Sequence, residues 1–291
     1  MMINELNQKA VAAFWRARSD LSHKGDFGKL LIAAGSRSMP GAAMLCASAA
    51  LRTGAGTVTV AAVDSVRFAI SASLPECMVL PCEKTSDGGL SAQNIERIAQ
   101  KQLSSSASLI GPGAGCSQDV SELVRCLLNS NNRPVVVDAD GLNSIAGCID
   151  IVKGTCSVLT PHIGEMARLC KTPPEEVARD SINFAVRFAK ENRITLVLKS
   201  SKTVVCDESR VLFLEKPNSG LAKGGAGDVL SGIIASLATQ GTGLFEAAAL
   251  GVYLHSAAGE IAAKRFTKRF MLPGDVISCL PEVFRQIEAC T

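Results

Sequence analysis

Short apolar runs recur along the chain, each closed by Gly, Asp, Ser or His: KLLIAAG, GTVTVAAV, ASLIGPG, RPVVVDAD, CSVLTPH and TLVLKSS. Runs this short and continuous suit strands buried on both faces, and so a parallel sheet covered by helices. The segments between them have helical character, as in GAAMLCASAALRTG, DVSELVRCLLNS and PPEEVARDSINFAVRFAKEN. The last opens with the prolines and acids that a helix start favours. SRVLFLEK, following KTVVCDE, reads as a hairpin, so the sheet is expected to carry an antiparallel excursion. After Gly227 the signal is helical, through EAAALGVYLHSAAGEIAAKR to the C-terminus. With no low-complexity linker and no internal repeat, residues 1–291 are expected to form a single, doubly wound α/β domain of three layers.

Composition narrows the class. Hydrophobic residues make up 47% of the chain and aromatics only 4%, so a large core is to be built mostly from Ala, Val, Leu and Ile. A net charge of +3 is too balanced for a nucleic-acid or anionic-membrane surface. The 11 cysteines include no Cys-x-x-Cys pair and read as reduced small hydrophobes; Cys77 and Cys82 bracket MVLP, itself strand-like. The first residues lack a basic-then-apolar export pattern, and no apolar run reaches the ~18 residues of a membrane helix. A soluble, cytoplasmic protein is expected.

In a doubly wound sheet, ligands bind beyond the carboxyl ends of the strands. Gly35, Gly111 to Gly115, Asp138, Asp140, His162 and Lys199 all fall at such ends. The densest signal is NSGLAKGGAGDVLSGIIASL, in which Gly220, Gly224, Gly225 and Gly227 precede Asp228 and a helix. In that helix Val229, Leu230, Ile233, Ile234 and Leu237 are expected to share the face that docks to the sheet. Its first-turn N–H groups would be unpaired and partly positive, an anion hole with Asp228 as a general base. The plainer alternative makes Asp228 the N-cap and the glycines a turn. Neither G-x-x-x-x-G-K-[ST] nor G-x-G-x-x-G occurs, which excludes a P-loop ligand and a Rossmann dinucleotide.

Other strand ends add candidates. Glu165 could hold a hydrated Mg²⁺ against phosphates or simply open a helix. His162 is a ligand candidate, whereas His255 reads as a packed helix residue and His23 as a loop residue that could contact substrate. Asp138 and Asp140, separated by one residue at a strand tip and so expected on one face, could bind a metal or organise a turn; one structural and one water-mediated role is favoured. Lys199 and Lys202, with the hydroxyls of Ser200, Ser201 and Thr203, could hold a phosphate or ribose.

Together and in this order, these segments resemble the ADP/ATP-dependent NAD(P)H-hydrate dehydratases of the ribokinase-like superfamily. The likeness runs from HKGDFGKLLIAAGS through IGPGAG, VVDADGLN and TPHIGE to NSGLAKGGAGDVLSGIIA. GAGD matches the Gly-x-Gly-Asp whose aspartate is the base in ribokinase-like kinases. TPHIGE is similar to their Thr-Pro-Asn-x-x-Glu, with His162 in the asparagine position as the dehydratases have it. Ser219, Leu221, Lys223 and Ala226 depart from the family's Gly-Asn-Pro-Gly-Met-Ala-Thr-Gly-Gly-Ser-Gly-Asp, but the glycines and Asp228 are kept.

The resemblance implies a three-layer α/β/α ribokinase-like fold with a mostly parallel sheet. It implies a hydro-lyase that restores NADH and NADPH from the S-form of their hydrates, NADHX and NADPHX, at the expense of ADP or ATP with Mg²⁺. Ala42, Gly113, Gly115, His162 and Asp228 would contact the hydrate. Lys199, Ser200, Ser201, Lys202 and Thr203, with Gly224, Gly225 and Gly227, would hold the nucleotide, and Glu165 the metal. A homo-oligomer, a tetramer favoured, and a separate epimerase protein are the implied partners. Two alternatives remain open: a vitamin-precursor or sugar kinase of the same fold, and a non-catalytic nucleotide sensor.

Overall fold

The computed structural model describes residues 3–129 and 133–289, and within them the apolar runs become ten strands of one sheet. They are β1 (Ile3–Glu5), β2 (Lys29–Ala33), β3 (Thr57–Val63), β4 (Met78–Cys82), β5 (Ala107–Ile110), β6 (Val135–Val137), β7 (Ser157–Leu159), β8 (Thr195–Leu198), β9 (Lys202–Cys206) and β10 (Val211–Glu215). The spatial order is β1-β10-β9-β8-β7-β6-β5-β2-β3-β4. Every pair from β4 across to β8 is parallel, and β9 and β10 form the antiparallel hairpin expected from the sequence. The chain winds outward from β2 through β3 to β4, then returns to β5 on the other side of β2. That reversal makes the carboxyl ends of β2 and β5 the topological switch point, where such sheets open a crevice.

Twelve helices flank the sheet among the described residues: α1 (Gln8–Phe14), α2 (Pro40–Thr53), α3 (Arg67–Ser73), α4 (Ile95–Leu103), α5 (Gln118–Asn129), α6 (Asp140–Ile145), α7 (Ile163–Cys170), α8 (Pro174–Arg179), α9 (Ser181–Asn192), α10 (Ala226–Thr239), α11 (Leu244–Phe270) and α12 (Pro273–Glu288). They segregate into two layers, with α1, α2, α3, α10, α11 and α12 packing among themselves and α4 through α9 doing likewise. Central strands are therefore buried on both faces; Leu31, Ile32 and Ala33 of β2 have no exposure.

Two expectations change. PPEEVARDSINFAVRFAKEN is two helices, because Asp180 leaves helical geometry (φ −139°, ψ 54°) and its carboxylate takes the Asn183 amide. The α10 helix buries more than one face: Ser231, Gly232, Ala235, Ser236, Ala238 and Thr239 are also buried, since α2 and α11 enclose it beside the sheet. Among the described residues no helix is long and apolar enough to cross a membrane. The buried cysteines Cys46, Cys77, Cys82, Cys206 and Cys279 are free thiols, and burial pushes those of Cys77 and Cys82 up to about 11 and about 12. Cys290 lies outside the described residues.

The close approach of α10 to α2 depends on Gly232, where an added Cβ would press into the main-chain carbonyl of Cys46, an atom that cannot rotate away. Gly232→Ala is expected to cost about 1–3 kcal/mol, read as a lower midpoint in urea denaturation with an unchanged slope.

Candidate functional site

Three neighbouring strands end in acidic or basic residues that turn toward one another. After β6, Asp138 is almost wholly buried, and its carboxylate accepts a 2.8 Å hydrogen bond from Lys199 Nζ, which extends from the end of β8. Between them, β7 leads through Pro161 into the α7 start. There His162 is the N-cap: its Nδ1 accepts the N–H groups of Gly164 (3.0 Å) and Glu165 (3.3 Å), and Glu165 Oε2 accepts from His162 N at 2.8 Å. This reciprocal capping box holds the histidine half-exposed and the glutamate buried. With Nδ1 used as an acceptor, the neutral ring carries its proton on Nε2. Glu165 Oε2 also lies 3.9 Å from Lys199 Nζ. Burial works against the Lys199 charge, but Asp138 and Glu165 outweigh it and raise the ammonium above its usual range.

The glycine loop closes the same site from the other layer. Asn218 pins its start, accepting from Gly220 N and donating to the carbonyl of Gly259 on α11. Gly225 is the N-cap of α10 in the left-handed conformation (φ 96°), a geometry glycine reaches without steric cost. A Cβ there would meet Leu45 and Pro273, and one at Gly227 would stand 3.3 Å from Lys199 Nζ. Gly225 holds the cap position and Asp228 lies inside the first turn, so Asp228 is not the N-cap. The N-cap alternative is thereby excluded. Among the described residues no acceptor takes the N–H of Gly227 or Asp228. Burial, then repulsion from Asp138, pushes the Asp228 carboxyl up to about 6, with Lys199 opposing.

These groups line one cavity of about 840 Å³. His162, Lys199, Ser200, Ser201, Thr203, Gly225, Gly227 and Asp228 all border it, as does Glu165. Lys202 does not: its ammonium turns outward to Glu215 at 2.7 Å. Gly224 is exposed beside open space. Ala42, Gly113 and Gly115 form a second patch at the switch point, where a Cβ on Gly113 would touch the Ala42 side chain and Gly115 N donates to Asp140 at 2.9 Å. Asp138 and Asp140, expected on one face, go to different partners because Ala139 between them takes φ 50°. Asp140 organises the Gly115 turn, and Asp138 pairs with Lys199. His23 lies before β2, at the amino ends of the strands, bound to Asp26 in an exposed turn.

Several lining residues escaped the sequence reading. Val252, His255 and Ser256 border the cavity from one face of α11. Their i, i+3, i+4 spacing was the available signal. His255 is packed in the helix as expected, and burial lowers its ring to about 4, so it is neutral; Ala226 backbone hydrogen-bonds it, while its Nε2 has no partner.

A magnesium ion fits this donor set only in company. Among the described residues no three His, Cys, Asp or Glu side chains could hold a metal by themselves. Yet Asp138, Glu165 and Asp228 surround a single ammonium, leaving an excess of negative charge. Magnesium typically combines one or two such carboxylates with substrate phosphate oxygens.

Comparison with known proteins agrees with this geometry. The family profile described as NAD(P)H-hydrate dehydratase matches residues 30–282. The bifunctional NAD(P)H-hydrate repair enzyme of Moorella thermoacetica is 38% identical over 97% of this chain and 55% of its own length. The ADP-dependent (S)-NAD(P)H-hydrate dehydratase of Neisseria meningitidis is 37% identical over 85% of this chain and 81% of its own. The chain thus spans about half the length of the first curated relatives it matches. Among solved structures, the ADP/ATP-dependent NAD(P)H-hydrate dehydratase from Bacillus subtilis, co-crystallised with ATP and Mg²⁺, superposes with a TM-score of 0.85 at 29% identity, covering 99% of both chains.

The raised Asp228 carboxyl carries a stability signature. Its folded value, about 6, exceeds its ordinary 3.8, so the native state holds this proton more tightly. The associated stability is present below pH ~4 and lost as pH rises to ~6. Asp228→Asn is expected to remove that loss and make the protein more stable than wild type at pH 8, by on the order of 2 kcal/mol. Paired thermal melts from pH 4 to 8 check it; equal Tm values at pH 8 would contradict the buried, charge-crowded setting of Asp228.

Proposed function

The chain belongs to the NAD(P)H-hydrate dehydratase family, and we propose that it restores NADH and NADPH from the S-form of their hydrates at the expense of ADP or ATP. The reading is supported above all by Asp228: a carboxylate at the open first turn of α10, bordering a large cavity and poised near neutral pH. A base so placed is matched to removing a hydroxyl proton at physiological pH.

The chemistry follows from leaving-group strength. Hydroxide is a poor leaving group and phosphate a good one. Asp228 takes the proton of the hydrate hydroxyl as that oxygen accepts the terminal phosphoryl group of the nucleotide. The N–H groups of Gly227 and Asp228 hold the charge on the transferred group. The hydrate's carbon–oxygen bond, its oxygen now bonded to phosphorus, then breaks with its electron pair leaving on phosphate, a ring proton is lost from the adjacent carbon, and the C5–C6 double bond returns. Free phosphate and the shortened nucleotide depart. Glu165 and Asp138 would hold Mg²⁺ together with nucleotide phosphates, and the ion would supply neutralisation of the phosphoryl charge.

In this assignment Ser200, Ser201 and Thr203, with Gly225 and Gly227, hold the nucleotide. His162, through Nε2, and the Ala42–Gly113–Gly115 patch hold the hydrate. Asp228 stands between the two halves. Lys199 positions the carboxylates, and Lys202 and Gly224 contribute at most through the backbone of their turns. A separate epimerase would supply the S-form from the other epimer, and assembly as a homotetramer belongs to the same reading.

Purified protein with hydrated NADH, Mg²⁺ and ADP, or ATP in a parallel series, is expected to regain reduced-nicotinamide absorbance with stoichiometric phosphate release. A stable phosphorylated product without that recovery would favour a small-molecule kinase instead. Asp228→Asn should keep nucleotide affinity while turnover falls by about 10²–10⁴-fold; near wild-type rates would reject Asp228 as the base.

A further inference from the structure

We propose that Lys223 is a phosphate-binding residue of this cavity, its ammonium receiving the terminal phosphoryl group of the bound nucleotide; the proposal rests on the nucleotide reading above. Three lysines line the cavity. Lys199 is paired with Asp138 at 2.8 Å, and Lys216 with Glu260 at 3.2 Å. Among the described residues Lys223 alone of the three has no carboxylate within ion-pair distance. Its charge is the one not already neutralised.

The ammonium is nevertheless held in place. Lys223 Nζ donates to the main-chain carbonyls of Arg269 at 2.7 Å and Met271 at 2.6 Å. Neutral carbonyls orient the group without cancelling its charge. An ammonium has three N–H donors, so one remains for a ligand. Both carbonyls belong to the chain just beyond Thr267, whose φ of 69° and ψ of 152° interrupt α11. A non-glycine residue in that region is strained, and such strain persists where the surroundings over-determine it. The carbonyl cradle is the contact this bend provides.

The ammonium thus lies at the carbonyl end of α11, where a cation is favoured, while its backbone leads into α10. Lys223 lies two residues before Gly225, the α10 cap, and its carbonyl accepts the Ala226 N–H at 3.2 Å. Gly227, Asp228 and Lys223 line the same cavity, so one anion bound there can meet the open first-turn N–H groups and the ammonium together. In the family pattern this position is often threonine, which brings a hydroxyl but no charge.

Titration calorimetry with AMP and ADP, in Mg²⁺, separates this role from a purely structural one. Lys223→Met is expected to weaken ADP binding by roughly tenfold while AMP, which lacks the outer phosphate, loses less than about twofold. Lys223→Arg, which keeps the charge, should retain most of the ADP-over-AMP preference. Equal losses for both nucleotides, or a lower Tm with both affinities intact, would make Lys223 a brace for the end of α11 and overturn the proposal. Wild-type protein that binds neither nucleotide would overturn the functional reading and this assignment together.

Discussion

One ammonium set among three carboxylates governs the site. Lys199 satisfies Asp138 directly and Glu165 at longer range, and what remains of the negative charge falls on Asp228. Removing one partner from such a buried pair commonly costs about 3–5 kcal/mol, so the cluster is a fixed framework. Burial first, and then repulsion from Asp138, raises the proton affinity of Asp228, which turns an ordinary carboxylate into one able to exchange a proton near neutrality. The same surplus of negative charge suits a divalent cation that arrives with a polyphosphate.

The sheet topology is what brings these groups together. Parallel strands β6, β7 and β8 present their carboxyl ends in register, so Asp138, His162 and Lys199 emerge side by side from segments far apart in the chain. Two helix starts then converge on them. The start of α7 is held by the reciprocal His162–Glu165 capping box; the start of α10 is capped only by a glycine, and its Gly227 and Asp228 N–H groups meet no acceptor among the described residues. That asymmetry leaves α10 the more open helix start of the two. Beside them the switch point between β2 and β5 supplies a second patch lined by glycines, Ala42 and backbone, suited to close approach of a bulky cofactor.

Glycine has distinct uses along this rim. At Gly225 it provides a left-handed cap, at Gly232 it lets α10 and α2 meet closely, and at Gly113 it allows the turn to touch Ala42. The first shapes the open start of α10, the second fixes the helix that bears Asp228, and the third shapes the patch at the switch point.

Much of this architecture was legible in the chain alone. Apolar runs specified buried parallel strands, helical spacing specified the flanking layers, and polar residues at strand ends marked the ligand-binding edge, because periodicity reports directly which side of an element is buried. It does not report partners. Lys199 finds Asp138 across 61 residues, and Lys223 reaches carbonyls 46 and 48 residues further along the chain. Whether Asp228 capped its helix or stood free, and whether Asp138 and Asp140 shared a face, turned on the backbone angles of Gly225 and Ala139. Local sequence thus determined what is buried and where the strands end. Only the tertiary structure decided which charges lie close enough to shift one another, because electrostatic coupling depends on distance in space and not on spacing in the chain.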